Sequence, residues 1–264
     1  AQPTLISVSP RRRSIVMQCL RHNSPRKIAF TLAEVLITLG IIGVVAAMTL
    51  PVLTGHYRKS VVESRLKKFY STMNQVILMS ERDNGPKEYW DAQPKAYDIG
   101  EDGTVDKTQE SKMISWFNRY IKPYIVTLDT NVDINTSQGK VNIFFPDGSL
   151  VIIGESSWIF YPEAKYYKIT ESLDTDGYVD VDPADSGIRY FTFLFNPSKT
   201  VAANKFHYKK GVEPYKYKWD GNKSSLLNDS ELGCKETVSD ERAYCTALIQ
   251  LNGWNIPDNY PFKF

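Results

Sequence analysis

The chain has 264 residues, 42% of them hydrophobic and 23% charged, which is the make-up of a folded protein of one or two domains. Its formal charge of +2 hides an asymmetry: residues 1–29 hold six basic residues and no acid, and the remaining 26 basic residues face 30 acids. The chain beyond residue 29 is mildly acidic, which excludes a general polyanion-binding protein.

After the basic head Arg26-Lys27 comes FTLAEVLITLGIIGVVAAMTLP, Phe30 to Pro51, with 21 residues before the proline and Glu34 as the single charge. An apolar run of about 20 residues is long enough to cross the hydrocarbon core of a bilayer as a helix. A carboxylate inside such a run is expensive in lipid and marks a functional position with a partner. A secretory signal has an apolar region of only about 7–15 residues, without a carboxylate in its head. A simple anchor helix is the other plain reading of the stretch. Beyond Pro51, Val62, Leu66, Phe69, Met73 and Val76 recur at helical spacing and predict one apolar stripe. Asn84-Gly85-Pro86 is a stop signal. A helix from Phe30 to Asp83 is expected, roughly 80 Å long at about 1.5 Å per residue. Pro51 is expected to break or kink it, because proline removes a hydrogen bond.

Residues 87–111 read as a polar loop. A short helix is expected at Lys112–Ile121, with Met113, Ile114, Phe117 and Tyr120 on one face. Val141–Phe145 and Leu150–Ile153 flank Pro146-Asp147-Gly148, and Asp-Gly between β-branched runs signals a hairpin. Trp158–Tyr161, Tyr166–Ile169 and Arg189–Phe195 are further strand candidates. Residues 204–240 read mostly as loop, and Ala243–Leu251 as a short helix. The predicted fold class is α+β: a long N-terminal helix, transmembrane over 30–53 and then amphipathic, packed on a C-terminal antiparallel sheet domain.

Ala29-Phe30-Thr31-Leu32-Ala33-Glu34, behind Arg26-Lys27 and ahead of Pro51, resembles the signal of type IV pilins and type II secretion pseudopilins. The resemblance covers residues 26 to 83. It implies a leader over 1–29, cleavage by a prepilin peptidase between Ala29 and Phe30, and methylation of Phe30. It also implies a globular pilin-like domain over 84–264. Alanine stands where the family usually has glycine before the cut. Met17 offers a start that leaves the 13-residue leader MQCLRHNSPRKIA, closer to the family's usual length. In the family the fifth mature residue, here Glu34, pairs with the N-terminal amine of a neighbouring subunit, and a proline at the position of Pro51 kinks the helix. The implied partners are the peptidase, homologous subunits in a filament and an inner-membrane assembly platform. The implied location is the inner membrane by a single span, with the C-terminal domain outside the cytoplasm and later in a filament. Charge counting alone does not orient the span, since Arg58, Lys59, Arg65, Lys67 and Lys68 lie just beyond its far end. The tail from Cys245 to Pro261 is similar to the C-terminal ends of some prepilin-like proteins.

Three cysteines are present. Cys19 lies in the leader. Cys234 and Cys245 read as a disulfide if the domain is extracytoplasmic, with two buried thiols or half a metal site as alternatives. In Ser172–Asp185, acids cluster around Gly177, and Asp174, Asp176 and Asp180 are candidate calcium ligands. Major pseudopilins carry calcium in this general region, but the loop is not an EF-hand, and a solvated acidic turn is the plain alternative. Lys205–Trp219 interleaves six basic or histidine positions with aromatics, a mixture that holds single-stranded DNA and equally fits a surface loop. G-x-S-x-G, H-E-x-x-H and phosphate-loop motifs do not occur, and nothing singles out one carboxylate pair among the many acids. The resemblance implies a structural subunit, not an enzyme. A membrane-anchored receptor, adhesin or DNA-uptake domain is the alternative from the binding class, and an anchored hydrolase the third.

Overall fold

A computed structural model describes residues 31–93, 112–127, 129–132, 140–154, 157–167 and 181–264. The chain divides into two compact units between Met48 and Thr49. Helix α1, Leu32–Asn84, contributes to both. The first unit is, in its described part, the start of that helix. Its large apolar side chains, from Leu32 to Met48, are all exposed.

The helix runs through Pro51 without interruption, where the sequence leads one to expect a break. A proline removes one N–H from the ladder. The flanking turns keep theirs, and Thr54 Oγ1 donates to the Pro51 carbonyl at 2.9 Å. The helix ends where the stop signal places it: Gly85 adopts φ +77°, the left-handed conformation that closes helices and that glycine takes without strain.

The second unit is built on a six-stranded antiparallel sheet in which every strand pairs with its sequence neighbour. The strands are β1 (Asp129–Val132), β2 (Val141–Phe144), β3 (Leu150–Ile153), β4 (Trp158–Tyr161), β5 (Phe191–Leu194) and β6 (Glu213–Pro214). The predicted stripe on α1 faces the core: Val62, Leu66, Phe69, Met73 and Val76 are all buried, joined by Ile77. They pack with one face of the sheet, Val141, Ile143, Val151, Ile153, Trp158, Phe160, Phe191 and Phe193. Phe69 stacks on Phe160 at 4.2 Å between ring centroids and meets Phe193 edge-on at 4.9 Å. The opposite face is covered too, by a cluster of Leu150, Ile152, Ile159, Tyr161 and Tyr190. Strands buried on both faces read as continuous apolar runs, as β3 and β4 do.

Helix α2 spans Lys112–Tyr120. Its buried face carries Trp116 in place of the expected Ile114, and Trp116 and Tyr120 pack beside Phe195 and Trp90 respectively. The hairpin between β2 and β3 turns at Pro146-Asp147-Gly148. Gly148 N–H donates to the Phe145 carbonyl at 3.0 Å with Gly148 at φ +78°, a type I turn closed by a left-handed glycine. Three elements lack a sequence signal: β1, and, inside the expected loop 204–240, β6 and helix α3 (Lys223–Asn228). Tyr166 belongs to a single 3-10 turn, Ala164–Tyr166, not to a strand, and Lys168 and Ile169 lie outside the described residues. Helix α4, Tyr244–Leu251, is buried on nearly all sides.

Cys234 and Cys245 form a disulfide with Cα atoms 4.7 Å apart, both sulfurs in the core. It ties α4 to the segment after α3. Gly187, at φ +76°, lies directly against it: a Cβ there would fall 2.5 Å from Cys245 Sγ.

Candidate functional site

Leader residues 1–29 with Ala29, the expected N-terminal Phe30, and the acidic loop with Asp174, Asp176 and Asp180 all lie outside the described residues. The site therefore begins at Thr31. Thr31 precedes the first helical turn, and its backbone N–H and its Oγ1 both donate to Glu34 Oε2, at 2.8 and 2.9 Å. Glu34 N–H donates back to Thr31 Oγ1 at 3.2 Å. This is a capping box: threonine and a glutamate three residues on satisfy each other's orphan N–H groups at a helix start. In the single chain, Glu34 thus has a local role that the reading of it as an inter-subunit partner does not include. The signal is legible, since Thr-x-x-Glu ahead of an apolar run is its signature.

Around and after Glu34 the helix is apolar on every side. It is long and apolar enough to cross a membrane, with a mean hydropathy of 2.4 over its most apolar 18 residues and none of that window buried. Pro51 lies near the end of this stretch.

Three of the five basic residues that confuse charge counting, Arg58, Arg65 and Lys68, have definite employment within the second unit. Arg58 donates to Glu163 Oε1 at 3.2 Å and to the Ile188 carbonyl at 3.3 Å, and stands over the Tyr166 ring at 4.6 Å. Arg65 caps the hairpin ends, donating to the carbonyls of Pro162 and Asp147. Lys68 pairs with Asp147 Oδ2 at 2.8 Å. Burial pushes Asp147 up, but hydrogen bonds from Lys68 and Ser149 outweigh it and hold the carboxyl below its ordinary range. Glu163 is likewise held down, by Lys165 and Arg58 against burial. Arg58 and Arg65 therefore fasten α1 to the sheet domain, and no periodicity in the sequence announces this.

The basic and aromatic segment 205–219 is divided: Lys205, Lys209, Lys210 and Lys218 are exposed, while its other two basic or histidine positions are not. His207 is fully buried and Lys216 nearly so. His207 Nε2 accepts the Lys216 N–H at 3.0 Å. Burial first, and then the Lys216 charge, push His207 down to about 4, so it is neutral at pH 7. Lys209 pairs with Glu88 and Lys205 donates to the Asp220 carbonyl. The six positions do not form one exposed cationic stripe. Among the described residues, no group of three His, Cys, Asp or Glu side chains is placed to hold a metal. A shallow cavity of about 500 Å³ lies between α1 and the C-terminal tail, lined by His56, Lys59, Glu63, Asn255 and Asp258. The Ile256 N–H donates to Glu63 at 2.7 Å on its wall.

Residues 25–50 match the prokaryotic N-terminal methylation motif, the hallmark of type IV pilins and pseudopilins. The motif marks a prepilin-type, type IV pilin-like protein, and the apolar helix that follows is long enough to serve as a membrane anchor. Residues 52–264, most of the chain, match the family of unknown function (DUF6613), and the chain belongs to that family. No curated protein and no solved structure matches it.

Proposed function

We propose that this chain is a structural subunit of a type IV pilus-like or type II secretion pseudopilus filament. A prepilin peptidase cuts between Ala29 and Phe30, Phe30 is methylated, and the C-terminal domain stands outside the cytoplasm. Subunits leave the membrane through an inner-membrane assembly platform and pack by their N-terminal helices.

The observation that carries this reading is the coincidence of the methylation motif with a helical stretch, Leu32–Met48, whose large apolar side chains are all exposed, with Glu34 as its single charge. Such a surface needs lipid or other helices around it. Moved from lipid into a helix-lined filament core, Glu34 requires a cationic partner, because a lone buried carboxylate is strongly disfavoured. The new N-terminal amine of a neighbouring subunit supplies one. The capping box refines this picture: Glu34 exchanges a partner within its own chain for one on a neighbour. Disulfide formation between Cys234 and Cys245 fits an oxidising compartment and so favours the domain lying outside the cytoplasm.

The test is intact mass and N-terminal sequencing of protein from membranes containing its own prepilin peptidase. A chain beginning at N-methylated Phe30 supports the proposal. A chain that keeps its leader in those membranes makes the helix a permanent anchor and overturns it.

A further inference from the structure

Within the second unit, Lys216, Gln250 and Glu213 form a cluster with a particular arrangement. The Lys216 amine, almost entirely buried, stands 2.5 Å from Gln250 Oε1 and 3.3 Å from Glu213 Oε2. The same carboxylate oxygen accepts from Gln250 Nε2 at 3.3 Å, and the other accepts from Tyr70 Oη at 2.9 Å. An ordinary buried ion pair makes its shortest contact between the two charges. Here the amine's nearest neighbour is a neutral carboxamide, and a single carboxylate touches both the amine and the amide nitrogen. The carbonyl carbon is one C=O bond beyond the contacted oxygen, so the amine lies within about 3.7 Å of it. The ring of Trp254 packs 4.9 Å from that of Tyr70 at the edge of the cluster.

We propose that Lys216 and Gln250 are a self-modification site, joined by an isopeptide bond between Lys216 Nζ and Gln250 Cδ. The reaction needs no oxidant and no cofactor. Lys216 passes one ammonium proton to Glu213 and attacks Cδ as the neutral amine. The Nζ–Cδ bond forms, the Cδ–Nε2 bond breaks, and Glu213 relays protons from Nζ to the leaving nitrogen. Ammonium departs, Glu213 ends as the carboxylate it began as, and the chain is lighter by one ammonia. Burial is the largest influence on Lys216 and pushes it down from its ordinary value against the pull of Glu213, which raises the share of neutral amine. Tyr70 holds the other carboxylate oxygen and so fixes the relay in position. The bond would staple α4 to the segment just after β6, across 34 residues of sequence. This proposal does not rest on the filament reading.

The test is the intact mass of the full chain purified in detergent, denatured and reduced, followed by peptide mapping. The expected result is a deficit of one ammonia, carried by a branched peptide that joins Lys216 to Gln250. Lys216→Arg and Glu213→Gln, each checked for folding by thermal melting, are expected to restore the full mass. An unmodified wild-type mass after prolonged incubation at neutral pH overturns the proposal. So does a deficit that maps to a succinimide at Asn84-Gly85 or Asn252-Gly253, which loses the same ammonia. A folded Glu213→Gln chain that still forms the branched peptide overturns the relay.

Discussion

Leu32–Met48 and Val62–Ile77 are stretches of one helix with opposite surfaces. In the first, every large apolar side chain is between 41% and 77% exposed. In the second, the apolar stripe is at most 4% exposed, because the sheet covers it. The sequence difference behind this is simple. The second stretch spaces its apolar residues for one face and fills the other with Lys, Arg and Glu, while the first is apolar at nearly every position. A helix that needs one neighbour finds it within its own chain. A helix apolar all round needs neighbours on all sides, and none of the described residues covers this one. The chain thus encodes a folded domain and an unsatisfied surface in one continuous helix.

The largest effect expected from testing this contrast is on the buried half. Phe69→Ala removes a ring sandwiched against Phe160 and Phe193 and leaves a cavity, which costs about 4 kcal/mol. Urea unfolding of the detergent-solubilised chain checks it. A loss below about 1 kcal/mol would mean the helix does not depend on the sheet for its packing. Next comes the disulfide. Cys234→Ser with Cys245→Ser opens a closed loop of 11 residues' separation and is expected to destabilise the domain by about 3 kcal/mol. Reductant acting on the wild type should lower the melting temperature in the same way. Gly187→Ala should strain the same spot, since the added methyl meets Cys245 Sγ at a positive φ.

Acid provides a third test of the folded unit. His207 has an ordinary value of 6.5 and is pushed down to about 4 in the fold. Its depressed value means that the unfolded chain takes up the proton first. Stability is therefore full above pH 6.5 and falls between pH 6.5 and 4, by about 3 kcal/mol. Asp147 and Glu163, also held down, add a further loss at lower pH, beginning near their ordinary values of 3.8 and 4.5. Glu241 acts in the opposite sense. Burial raises it against the Thr192 hydrogen bond, so its contribution is present below 4.5 and is lost as pH rises. Melts at pH 7 and pH 5 should differ in the wild type and differ less in His207→Gln. An equal pH dependence in the two chains would remove His207 from the account.

The parts of this fold legible in sequence are those set by local pattern. The stripe from Val62 to Val76, the Asp147-Gly148 turn and the Asn84-Gly85 stop each state their structure within a few residues. The strand β1 and the burial of His207, Val212 and Lys216 are not local. Residues 204–219 look polar because they carry Lys205, Lys209, Lys210, Lys216 and Lys218. Yet Val212 is buried beside α1, whose Asn74 donates to the Val212 carbonyl at 2.9 Å. Arg58 and Arg65 look like membrane-flanking charges and turn out to be ties to carbonyls 130 and 97 residues away. Only the three-dimensional pairing decides which positive charges count toward topology. The methylation motif is legible for a different reason: it is a fixed order of residue types along one helix start. The Thr31 cap shows that even there a second, local role shares the same carboxylate.

That shared role sharpens the smallest predictions, those on the exposed half. Leu39→Ala is expected to change the unfolding free energy of the sheet domain by under about 0.5 kcal/mol, since the Leu39 side chain is exposed and belongs to the first unit. Its effect should appear instead in the yield of sheared filaments. Glu34 separates cap from assembly in a way that alanine alone does not. Glu34→Gln keeps an oxygen for the Thr31 N–H and Oγ1 but loses the charge that would pair with a neighbour's amine. Both Glu34→Gln and Glu34→Ala should insert into membranes and be processed, and both should give few or no filaments. If Glu34→Gln assembles normally while Glu34→Ala does not, the helix cap is what assembly needs, and the ion pair between subunits is not.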